Sequence, residues 1–147
     1  HSYLLACATA GMNIRIGAPI EFEPSAEVVA KATDIAETTG GSVAVLTDPV
    51  AAVGGADVIV TDTWVSMGQE DEKASRVAAL GGYKVSPELM AHAADDALFL
   101  HCLPAYRGYE VDAAVIDGPQ SVIWDEAENR LHAQKALLAW LLAKSAS

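Results

Sequence analysis

At 147 residues the chain is long enough to bury a core as one domain, and although 52% of its residues are hydrophobic, no stretch reaches the roughly 18 unbroken apolar residues of a membrane-spanning helix. A formal charge of −11, from 20 acidic against 9 basic residues, repels nucleic-acid backbones and anionic membrane surfaces, and no patch of Lys and Arg offsets it. Cys7 and Cys102 are far apart and lack metal-binding companions, so neither a disulfide framework nor a metal site is expected, no cofactor is implied, and a reducing compartment such as the cytoplasm is favoured.

The chain opens at His1 with no initiator Met, signal or transit segment, and the first residues already read as a small-residue helix through Ala10. The opening is therefore read as an internal point of a longer protein. The alternative, a signal remnant around Ser2-Tyr3-Leu4-Leu5-Ala6, lacks a basic head. A strand near Asn13 to Ala18 follows, then a helix from about Ser25 to Thr38, with Ser25 as N-cap after Pro24 and Gly40-Gly41 as the stop. A strand over Ser42 to Leu46 and a short helix over Pro49 to Val53 lead into Asp57-Val58-Ile59-Val60, a β-branched run suited to a strand covered on both faces. Helices are expected over Glu70 to Ala79 and Pro87 to Ala94, with a strand near Val85 and another over Ala97 to His101. A last helix from about Glu126 to Ala143 places Leu131, Leu138 and Leu142 on one apolar face. The alternation predicts a single α/β domain: a doubly wound, mainly parallel sheet with helices on both faces, Rossmann-like, binding its ligand beyond the carboxyl ends of the strands.

Two loops leave apolar strands at that edge, Thr61 to Gly68 and His101 to Pro104. The first combines a carboxylate, hydroxyls and a glycine, a set suited to a small ligand with amino and carboxylate groups, with Asp62 as anchor for an ammonium. The alternative for Asp62 is a turn cap. Cys102 is a reactive thiol if a neighbouring cation lowers its pKa, or a packing residue otherwise. His101 beside it points to the opposite side of the strand end, so the two are not read as a dyad. His92 and His132 fall in helical stretches as surface or packing residues. Arg130 has the geometry to grip a phosphate, or else pairs with Glu126 one turn earlier.

Together, Asp62-Thr63-Trp64-Val65-Ser66-Met67-Gly68-Gln69-Glu70, His101-Cys102-Leu103-Pro104 and Glu126-Ala127-Glu128-Asn129-Arg130 resemble the ornithine carbamoyltransferase family in content, order and spacing. The likeness covers essentially the whole chain, residues 1–147, which looks like the family's second, ornithine-binding domain. The first domain, with its Ser-Thr-Arg-Thr carbamoyl phosphate loop, has no counterpart in it. The resemblance implies that Asp62, Ser66 and Met67 contact L-ornithine, with Ser66, Met67 and Gly68 forming a lid that closes over it. It implies that Cys102, Leu103 and Arg130 contact carbamoyl phosphate, and that Asp62 and Cys102 carry the catalysis. Asp62 would orient the side-chain amine, mostly protonated near a pKa of about 10.4, and Cys102 would help to remove its proton. An Asn that also contacts ornithine is expected a few residues before His1.

The implied reaction gives L-citrulline and phosphate. The full-length protein is expected to be a cytoplasmic homotrimer, and this half alone an inactive monomer. Putrescine or acetylornithine remain alternative acceptors. The aspartate-specific enzymes are disfavoured by Cys102 and the Ser66-Met67-Gly68 lid. A free-standing ornithine-binding module is the alternative of a different class. A nucleotide-binding Rossmann domain is disfavoured, because neither Gly54-Gly55 nor Gly81-Gly82 completes a Gly-x-Gly-x-x-Gly after a strand.

Overall fold

A computed structural model describes residues 1–65, 68 and 70–145, with the side chain of residue 70 left out. Helix α1 (Ser2–Thr9) leads into strand β1 (Asn13–Gly17), helix α2 (Ala26–Thr39) into β2 (Ser42–Leu46), and α3 (Pro49–Val53) into β3 (Val58–Thr61). A 3-10 turn at Glu70–Glu72 opens α4 (Lys73–Leu80), followed by α5 (Pro87–Met90), β4 (Leu98–His101), α6 (Ala113–Ile116) and α7 (Ile123–Ser145). The α/β alternation expected from the sequence is present.

The strands pair in parallel as β1 with β2 and β3 with β4, in two ladders rather than one continuous sheet. Ile14 and Ile16 of β1 pack with Val43 of β2 against Leu4 and Ala8 of α1 and Ala32 and Ala36 of α2. The small Ala residues let these two helices close on each other and on the strands. The opposite face meets α3: a Cβ on Gly17 would lie 3.0 Å from that of Ala52, so any larger residue there would press the helix outward. Helices thus cover both faces of the β1–β2 ladder, as in a doubly wound fold.

Local signals explain the boundaries. The Ser25 hydroxyl accepts from Val28 N–H at 3.4 Å to start α2, and Gly40 ends it in the left-handed region at φ 85. Asp48 caps α3 through Val50 N–H at 2.9 Å, with Pro49 at the first helical position. The second core joins Ile59 of β3 and Phe99 of β4 to Val85, Met90, Val111, Val115, Ile116 and Ile123. Phe99 is completely buried.

Four elements differ from expectation. Val85 forms an isolated parallel bridge to Val111 rather than a strand, because Ser86 immediately caps α5 and ends the extended run. Helix α5 stops at Met90, and α6, which the sequence did not announce, covers the β3–β4 core through Val115 and Ile116. Helix α7 begins at Ile123, anchored by that buried side chain, but Leu131, Leu138 and Leu142 are 64%, 61% and 69% exposed, as are Leu137, Trp140 and Leu141 to a similar degree. The apolar face of α7 is real and has no cover among the described residues. No helix among them is long and apolar enough to cross a membrane.

Candidate active site

Strands β3 and β4 are in register, with Thr61 opposite His101, so the residues that follow them, Asp62 and Cys102, emerge side by side at the carboxyl edge. The Cys102 thiol donates to Asp62 Oδ1 at 3.2 Å. Asp62 Oδ1 also accepts from Thr63 N–H at 2.7 Å, so the local turn bond and the contact with the thiol fall on one carboxylate oxygen. Burial pushes the thiol up from an ordinary 9.0 to about 11, reinforced by the hydrogen bond and charge of Asp62 and by the charge of Glu126. Of the two readings left open for Cys102, activation by a neighbouring cation finds no support here: the charged groups that act on this thiol are carboxylates.

His101 points the other way. It is fully buried, as is Glu110 at 1% exposure. Its Nδ1 accepts from Leu103 N–H at 2.9 Å, which puts the ring proton on Nε2, 3.3 Å from Glu110 Oε1. The same Glu110 oxygen accepts from Tyr106 N–H at 2.6 Å. An internal His–Glu pair therefore shapes the whole turn from His101 to Tyr106. Within that turn Leu103 adopts φ 55, a left-handed conformation that costs a β-carbon residue about 1–2 kcal/mol. Such strain is held at functional turns by surrounding bonds, here those of His101 and Glu110.

Donor atoms of Asp62, His101 and Cys102 lie within 4.8 Å of one another. Both ring nitrogens of His101 are already engaged inside the protein, which leaves fewer than the three protein donors of a catalytic zinc site. The trio does not fit a metal.

The first turn of α7 closes the site from another side. Glu126, which the sequence offers as a partner for Arg130, instead accepts from the Tyr3 hydroxyl of α1 at 3.3 Å. Burial, with the charge of Glu126 and this hydrogen bond, raises the Tyr3 phenol from 10.0 to about 12, and the charges of Cys102 and Asp62 add to it. Arg130 is exposed one turn farther along α7. Leu103 is half-buried against the β3–β4 core. Ser66 and Met67 lie outside the described residues, while Gly68 adopts φ 87, a backbone only glycine takes without strain. His92 is exposed in the turn after α5, and His132 faces Glu128 on the surface of α7 at 3.4 Å.

The structure therefore brings Asp62 and Cys102 into contact. It adds Tyr3, Glu126 and Glu110, whose roles sequence reasoning missed: Tyr3 and Glu110 carry no spacing signal, and Glu126 reads equally well as a helix-dipole residue.

A family model described as the Asp/Orn binding domain of aspartate/ornithine carbamoyltransferase matches residues 1–141. The ornithine carbamoyltransferase of Clavibacter sepedonicus is 71% identical over 145 residues, covering 99% of this chain and 47% of the relative. The chain thus spans about half the length of the curated relatives it matches. Among solved structures, ornithine carbamoyltransferase from Pyrococcus furiosus aligns with a TM-score of 0.90 at 49% identity, over 95% of this chain and 44% of that one. An anabolic ornithine carbamoyltransferase from Campylobacter jejuni aligns with a TM-score of 0.91 at 39% identity, over 97% and 47%. An acetylornithine transcarbamylase complexed with acetylcitrulline aligns at 0.82 and 32% identity, over 95% and 43%.

Proposed function

Since the chain belongs to the aspartate/ornithine carbamoyltransferase family, we propose that it is the ornithine-binding half of an ornithine carbamoyltransferase, working with a companion half that binds carbamoyl phosphate. The observation that carries this reading is the Asp62–Cys102 contact at the carboxyl edge of two parallel strands. A carboxylate there receives an alkylammonium, and the thiol held beside it at 3.2 Å stands within reach of the amine's proton. In the reaction the amine nitrogen bonds to the carbamoyl carbon, the bond from that carbon to the phosphate oxygen breaks with its electron pair leaving on phosphate, and the nitrogen, entering as an ammonium, gives up two of its three protons and keeps one.

An ammonium beside Asp62 offsets the negative charge that, after burial, helps to hold the thiol protonated, so arrival of substrate lowers the thiol's pKa at the moment a proton acceptor is needed. Cys102 and Leu103 face the carbamoyl phosphate, and Arg130 reaches its phosphate across the domain boundary. Ser66 and Met67 complete the ornithine contacts in a lid that excludes water.

The companion half accounts for two facts together. Curated relatives are about twice as long, and α7 carries large apolar residues around its exposed second half, the pattern of a helix that is buried in its complete setting. The complete protein is proposed to be a cytoplasmic homotrimer, and this half a monomer; two unbridged cysteines accord with a reducing compartment.

Transfer of radiolabelled carbamoyl groups by the full-length protein tests the reading, with ornithine, acetylornithine and putrescine offered separately. Ornithine is expected to be preferred by at least about tenfold in kcat/KM, equivalent to about 1.4 kcal/mol. Preference for either other amine would refute the substrate assignment. The chain alone is expected to form no citrulline.

A further inference from the structure

Tyr3 lies on α1 and Glu126 on the first turn of α7, 123 residues apart, yet the phenol donates to Glu126 Oε1 at 3.3 Å. The second carboxylate oxygen, Oε2, is buried and has no partner among the described residues. A buried carboxylate oxygen without a donor is costly and calls for one beyond the described side chains. The surroundings narrow the choice. Cys102 donates to Asp62 in the turn after β3, the charge of Glu126 on α7 also reaches its thiol, and the charges of Cys102 and Asp62 reach the Tyr3 phenol of α1, while His101 of β4 bonds inward to Glu110. Asp62 and Glu126 thus put two acids beside one thiol, and no basic side chain bonds to either among the described residues.

We propose that Tyr3 and Glu126 are positioning residues of the amine site: their hydrogen bond pins α7 to α1 and holds a second carboxylate beside Asp62 and Cys102, so that an entering alkylammonium meets two acids. The role builds on the carbamoyltransfer reading above. It gives Glu126 a function independent of Arg130, and it explains how the helix that carries Arg130 is fixed at its start. A doubly acidic pocket favours a terminal ammonium over a neutral or anionic acceptor.

Alkylation of Cys102 by iodoacetamide, followed against pH in this 147-residue chain with Cys7 replaced by Ser, tests the pair without any substrate. Glu126→Gln removes one flanking charge and is expected to speed alkylation about threefold or more at a fixed pH near 9, with the whole profile moved to lower pH. Tyr3→Phe frees the carboxylate to swing toward water and is expected to move the profile the same way by less. A merely structural role predicts unchanged profiles in both variants, and that result overturns the proposal. Should Glu126→Gln lose its helical signal, Tyr3→Phe carries the same decision alone. In the full-length protein, Glu126→Gln is expected to raise KM for ornithine at least about fivefold with a smaller change in kcat; an unchanged KM overturns the substrate side of the proposal. Failure of the parent protein to use ornithine would instead overturn the functional reading, and the thiol profile would still report on the pair.

Discussion

The thiol of Cys102 donates to Asp62 Oδ1 at 3.2 Å, joining residues 40 positions apart at the ends of adjacent parallel strands. Asp62→Asn keeps the shape of the acceptor and removes its charge. Alkylation of Cys102 is expected to be slow at neutral pH in the Cys7→Ser chain and faster once Asp62→Asn is added; equal rates would show that the contact does not govern the thiol. Linkage gives the sign for stability. The thiol's folded value of about 11 exceeds the ordinary 9.0, so the folded state holds this proton more tightly. Its contribution is fully present below pH 9 and is lost as pH rises toward 11. Urea midpoints measured at about pH 8 and about pH 10.5 should therefore fall, and Asp62→Asn should narrow the drop.

His101 and Glu110 are buried together, and His101 also accepts from Leu103 N–H. His101→Ala leaves the buried Glu110 carboxylate with Tyr106 N–H but without its side-chain partner, and Leu103 N–H without an acceptor, at a cost of about 3–5 kcal/mol in urea unfolding. His101→Gln, which can still donate to Glu110, is expected to cost less. A loss below about 1 kcal/mol for His101→Ala would mean that the pair does not hold the turn.

Leu138 and Leu142 protrude from α7 into solvent. Replacing both by Lys is expected to change the unfolding free energy of this chain by no more than about 0.5 kcal/mol per site. In the full-length protein the same pair should cost about 2 kcal/mol or more each, because charge would enter a packed boundary. A large loss already in the short chain would place these leucines in its own core.

Much of the fold was legible because its signals are local. β2 over Ser42–Leu46 and α3 over Pro49–Val53 match the expected bounds, since the Gly40 stop, the Asp48 cap and Pro49 act on their immediate neighbours. Asp62 and Cys102 were legible as candidates for a related reason: each follows an apolar strand, and parallel α/β sheets gather such positions at one edge. The isolated Val85 bridge and helix α6 were harder to read, because a single bridge or one short helical turn is decided by what packs against it.

By itself, then, the sequence determined the α/β alternation, the strand edge that carries the candidate site residues and the motifs shared with its family, all carried by residues close in the chain. Only the tertiary structure decided that Glu126 bonds Tyr3 rather than Arg130, that His101 turns inward to Glu110, and that burial, reinforced by Asp62 and Glu126, keeps Cys102 a thiol. Those outcomes depend on direction and distance between side chains far apart in sequence, and on the desolvation that burial imposes, neither of which residue order expresses.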